Sequence, residues 1–179
     1  RETEKRYATQ MYWIPEDSME RRVKEEKLPY DKWHERGLVR LCRGNTINYK
    51  DVTAWFVEMA NTYGIFPAWV YYDRWSAAYW VEEMKETGFT EMKGVAQGAK
   101  TLSLPMQFLG ADLQAKRINY NNNPILRWCL SNTGVQEDRN GNIVPVKNQA
   151  AKQRIDGTAS LLNAYVGLYE HYNEFLEAQ

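Results

Sequence analysis

The sequence has 179 residues, with 23 Lys plus Arg against 23 Asp plus Glu, so its formal net charge is zero. That length suits one domain with a self-sufficient core, and 44% hydrophobic with 26% charged residues is a globular composition, not a disordered one. Zero net charge excludes a whole-chain attraction to nucleic acid, so any basic surface is local.

Two distant cysteines, Cys42 and Cys129, exclude a zinc cage or disulfide scaffold and make reducing cytoplasm the expected setting. Two histidines exclude a His-rich metal site. No run approaches the ~18 apolar residues of a membrane span, and the charged start Arg1-Glu2-Thr3-Glu4-Lys5-Arg6 is no signal peptide.

Tyr7 to Ile14, aromatic and β-branched and stopped by Pro15, predicts a strand. Glu16-Asp17-Ser18 opens a charged, peripheral helix from Met19 to Lys27, and a short helical turn follows around Asp31 to Arg36. Leu38 to Leu41 is a short strand candidate. Val52, Trp55, Phe56 and Met59 then mark one face of an amphipathic helix ending at Gly64. Ala68 to Tyr72, apolar without alternation, predicts a strand buried on both faces and ending at Asp73.

A helix capped by Ser76 runs to Thr87 and stops at Gly88. Met92 to Ala96 is a strand candidate, and Leu102 to Arg117 a helix with Pro105 in its first turn. Asn132 to Lys147 predicts a β-hairpin turning at Asn140-Gly141. The last helix starts near Asp156, with Leu162, Tyr165, Leu168, Tyr169 and Tyr172 on its apolar face. This alternation indicates an α/β architecture, with no repeat, linker or domain boundary. Seven Trp point to a rigid aromatic core.

Asp73, at the carboxyl end of a strand, stands where α/β sheets bind ligands, though a turn or capping aspartate would look the same. Asp156 lies in Arg154-Ile155-Asp156-Gly157, where the positive end of a helix dipole favours a carboxylate; a metal ligand and an N-cap both fit. Between Gln114 and Arg154 seven basic residues face only Glu137 and Asp138, a local excess of five suited to a phosphate backbone. There is no P-loop and no G-x-S-x-G. His34 and His171 read as helix-surface residues rather than general bases, and both cysteines as small buried hydrophobes.

Seven segments stand in a telling order. They are Tyr12-Trp13-Ile14-Pro15-Glu16, Leu28-Pro29-Tyr30-Asp31-Lys32-Trp33, Tyr72-Asp73-Arg74-Trp75, Val95-Ala96-Gln97-Gly98, Leu102-Ser103-Leu104-Pro105-Met106, Asn123-Pro124-Ile125-Leu126-Arg127-Trp128 and Arg154-Ile155-Asp156-Gly157. Together they resemble the C-terminal nuclease domain of phage large terminases. The resemblance implies an RNase H-like mixed sheet flanked by helices, with a β-hairpin before the last helix. It implies a Mg²⁺- or Mn²⁺-dependent endonuclease, with two ions, cutting double-stranded concatemeric phage DNA at packaging. Asp73 and Asp156 match the family's metal-ligating catalytic acids. Lys147, Lys152 and Arg154 are candidates to hold the DNA backbone, and the hairpin to gate or line its groove.

The family's first acid sits on an earlier strand in a G-x-D-x-S-like segment that this sequence does not contain. Residues 1–179 are therefore expected to be the nuclease domain without its first strand and preceding ATPase. The small terminase subunit and the capsid portal are the implied partners, and the host bacterial cytoplasm the implied setting. Two alternatives remain: a catalytically silent module docking on DNA or portal, and another RNase H-like enzyme such as an integrase or resolvase.

Overall fold

The computed structural model describes residues 5–75, 77–148 and 153–177, a mixed α/β chain in two compact units. The first unit comprises the described residues of Arg1–Ala8, Trp69–Ala78 and Glu91–Gln179; the second comprises Thr9–Ala68 and Tyr79–Thr90.

The second unit begins with β2 (Tyr12–Pro15), after β1 (Arg6–Tyr7) in the first. The single strand expected over Tyr7 to Ile14 is thus two strands that pair in different sheets: β1 with β6 (Ile118–Asn119), β2 with β3 (Val39–Cys42), both parallel. Helices α1 (Met19–Glu26) and α2 (Tyr30–Glu35) lie between β2 and β3 in the chain, and α3 (Tyr49–Tyr63) follows. Asn48 caps α3 by accepting from the Lys50 amide, and Gly64 ends it at φ 65°, a left-handed conformation suited to glycine. Trp13, Trp55, Phe56 and Trp80 contact one another in series, edge-on or tilted. The Trp80 indole donates to the Thr53 hydroxyl at 3.0 Å, so this apolar interior carries a polar pair that satisfies itself.

In the first unit β4 (Val70–Asp73) pairs in parallel with β5 (Met92–Val95), with α4 (Ala78–Glu86) between them in the chain. The strand is less enclosed than expected: Val70 is buried, but Tyr71, Tyr72 and Asp73 are only half-buried. α5 (Ala99–Gln114) starts three residues before Leu102 and places buried Pro105 in its interior, not its first turn. The ring removes one backbone donor there, at the level of Thr101. α6 (Pro124–Asn132), capped by the Asn123 side chain, leads into the hairpin β7 (Thr133–Glu137) and β8 (Ile143–Lys147). Then come α7 (Asp156–Glu170) and α8 (Tyr172–Glu177), so Tyr172 belongs to a separate short helix. Val95, Leu102, Leu109, Ile118, Leu162, Tyr165 and Val166 form the core between α5, α7 and the strands.

One group in that core is ionic. Asp112, 0% exposed in the last turn of α5, accepts from Arg6 Nη1 (3.0 Å), Arg117 Nε (2.7 Å) and the Tyr165 hydroxyl (2.8 Å). Burial, then the Asp112 hydrogen bond, push the Tyr165 phenol well above its usual range. The arginines also counter the unfavourable end of the α5 dipole.

Candidate active site

Asp73 ends β4, paired with Val95. Its Oδ1 accepts from the Trp75 amide at 3.0 Å, a local turn that fixes the carboxylate and leaves Oδ2 for another partner. Side chains two apart on a strand share a face, so Asp73 lies on the face of Tyr71. That face meets α7. A methyl group on Gly167 would stand 2.7 Å from the Tyr71 ring, so only glycine permits this approach of helix to strand. The Tyr71 hydroxyl donates to Glu170 at 2.5 Å and holds the ring in place. Burial first, then that bond, raise its pKa far above the ordinary phenol value.

Asn163 and Asp156 follow Gly167 along the same stripe of α7, at spacings of four and seven residues. Asn163 is buried, and its Oδ1 accepts at 3.1 Å from Gln97, two residues beyond the end of β5. The helix therefore runs against the strands, with its N-terminus toward their carboxyl ends. Asp156, exposed in the first turn, lies about 10 Å along the axis beyond Asn163. Both predicted acids thus lie toward one end of the β4–β5 pair: by the rise per residue Asp73 is about level with Asn163, and Asp156 lies about 10 Å farther along the same stripe of α7. Among the described residues no three His, Cys, Asp or Glu side chains stand together as a metal-binding group.

The start of α7 is held from α6. Asn132 Nδ2 donates to the Arg154 carbonyl (3.0 Å), and the Thr133 and Thr158 hydroxyls bond at 2.9 Å. Cys129, buried as expected, has its thiol pushed up by burial; amides of Gly157 and Thr158 act against that, and the Asp156 charge adds to it. Lys147 is exposed and pairs with Thr133 at the hairpin base, which brings it to the first turn of α7. Arg154 is half-buried just before that turn, and Lys152 lies outside the described residues, as does the expected cap Ser76. Thus the hairpin base that carries Lys147 and the segment that carries Arg154 both adjoin the start of the helix that Asp156 opens.

At its far end the hairpin is tied to α5, Ile143 donating its amide to Ser103 Oγ at 3.1 Å. Asp138 accepts from the Asn142 side chain and from the amides of Asn140 and Asn142, which lower its pKa and order the turn.

His171 departs from the surface role expected for it. It closes α7, stacks on Trp69 with ring centroids 3.8 Å apart, and lies 2.7 Å from Glu174 through Nδ1. Its Nε2 is 3.1 Å from Lys93 Nζ, and since an ammonium only donates, Nε2 accepts. His34 is exposed, with Nδ1 at 2.9 Å from the Val39 carbonyl.

Residues 1–171 match the model of the endonuclease domain of terminase large subunits. The chain belongs to that family. It is similar to the large terminase subunit of Enterobacteria phage HK97, 26% identical over 151 residues, which are 84% of this chain and 29% of that protein. It is also similar to protein YmfN of Escherichia coli K12, 27% identical over 162 residues, 86% of this chain and 34% of that one. The crystal structure of the HK97 large terminase superposes with a TM-score of 0.77 at 27% identity, over 87% of this chain and 32% of the other. The large terminase nuclease from thermophilic phage G20c shares the fold, with a TM-score of 0.53 at 19% identity over 68% and 63%. This terminase-family chain spans about a third of the length of the curated relatives it matches.

The family resemblance read from the ordered segments is therefore borne out. Asn163 and Asn132 carried no site signal in the sequence, and Gln97, though part of one of the seven segments, carried no role, because each acts through a partner far along the chain.

Proposed function

We propose that the chain is the cutting part of a large terminase subunit, a metal-dependent endonuclease that hydrolyses phosphodiester bonds of double-stranded concatemeric phage DNA during genome packaging. Family membership supports the reading, and the observation that carries it is the packing of α7 on β4 with its N-terminus toward the strand's carboxyl end, since Asp73 ends that strand and Asp156 opens that helix. The likeness to terminase nuclease structures and the parallel strand pairs support an RNase H-like sheet. The small terminase subunit and the portal are the partners this reading carries, and the host bacterial cytoplasm its setting.

Mg²⁺ or Mn²⁺, in two ions, suits the donor set: hard cations accept one or two carboxylates and fill their remaining positions with water and phosphate oxygens. When bound, such ions polarise the phosphoryl oxygen and make their water more acidic. Asp73, fixed by its own turn, and Asp156, fixed by α7, would hold them. Lys147, Lys152 and Arg154 would seat the backbone phosphate, and the hairpin would line the duplex.

Supercoiled plasmid incubated with the chain should be nicked and linearised in Mn²⁺ and Mg²⁺, and left intact in EDTA. Intact plasmid in every condition, with a cooperative thermal transition showing a folded chain, would replace cleavage with a docking role on DNA or portal. The double variant of Lys147→Ala and Lys152→Ala should bind duplex DNA more weakly, its salt slope smaller by about 0.9 for each phosphate no longer neutralised. An unchanged slope would remove these lysines from the interface.

A further inference from the structure

We propose that a cleft in the second unit takes an unpaired nucleotide of a DNA strand, on residues the carboxylate site does not use. The inference rests on the DNA-cutting function proposed above. The cleft, about 520 Å³, lies between the segment leading into α3 and the outer face of α4. Its volume is that of a small-molecule site, room for a nucleotide but not for a duplex.

Its chemistry has two parts. Arg43 and Lys50 line it, both exposed, and neither makes an ion pair among the described residues; Glu83 is the one acid in the lining. Tyr79 and Tyr49 line it too, and are 96% and 40% exposed. Cations beside aromatic faces are what a single strand requires: phosphates take the charge, and bases stack on the rings. Duplex bases are already stacked on each other and offer no face to a tyrosine. Beneath these lining side chains lies Trp80, buried and held by its indole hydrogen bond to Thr53.

The test is the fluorescence anisotropy of a labelled 12-mer of thymidylate titrated with the 179-residue chain in EDTA, which removes metal from the carboxylates. Arg43→Ala and Lys50→Ala should each weaken binding several-fold and reduce the salt slope by about 0.7. Tyr79→Ala should weaken it about tenfold, in the range of one stacked base, and Tyr79→Phe should restore it. Glu83→Gln should tighten it. The first three side chains are exposed, so these variants should fold. Unchanged affinity across the set, or equal competition by a 12-base-pair duplex, would overturn the cleft. Plasmid cleavage separates the two readings: cleavage without any of these effects rejects only the cleft, whereas these effects without cleavage reject only the nuclease.

Discussion

Asp112→Ala should lower the unfolding free energy by about 3–5 kcal/mol, the cost of breaking a buried ion pair from one side. The carboxylate is 0% exposed and holds two guanidinium groups, so its loss leaves Arg6 and Arg117 without their shared anion and Tyr165 without its acceptor. Domains of this size have only about 5–15 kcal/mol in hand, so the variant should unfold at a much lower urea concentration. Asp112→Asn, which keeps the volume and one acceptor oxygen, should lie between it and the parent. A urea midpoint unchanged in Asp112→Ala would mean that the arginines find other partners without cost.

Asp73→Asn and Asp156→Asn should each reduce plasmid cleavage at least about 100-fold, since each removes a charge proposed to hold the metal, a contribution of several kcal/mol to the transition state. Asparagine is chosen for a geometric reason. At position 73 its carbonyl oxygen can still accept from the Trp75 amide, so the turn survives and only the charge goes. Exposed Asp156 loses only its dipole interaction, about 0.3–1 kcal/mol. Both variants should therefore melt close to the parent. Because the acids act as one unit, the double variant should be no slower than the slower single one. Cleavage within a few-fold of the parent in either variant would remove that residue from the site.

Local pattern carried far in this sequence and failed where partners are remote. The α3 periodicity, the Asn140-Gly141 turn, and the start of α7 at Asp156 were all legible because each rests on residues within a turn or two. The β1–β6 pair was not: two-residue strands joined across more than a hundred residues have no period to detect. α6 carried its own start signal in Asn123-Pro124, yet its nine residues are too few for a clear apolar stripe. Asp112 reads as a surface acid on a helix, and only Arg6 and Tyr165, far away in the chain, make it interior. The two candidate acids were legible as positions; that α7 packs on the face of β4 carrying Asp73, through Gly167 and Tyr71, is a tertiary fact.

The hairpin fastened at both ends has a mechanical consequence. With Ile143 tied to Ser103 and the base tied through Thr133 and Asn132 to the start of α7, β8 is a strut rather than a hinged flap. Five residues of antiparallel strand span about 17 Å. A load applied at the tip is therefore divided between α5 and the turn that carries Asp156, and stiffness, not travel, is what this element supplies.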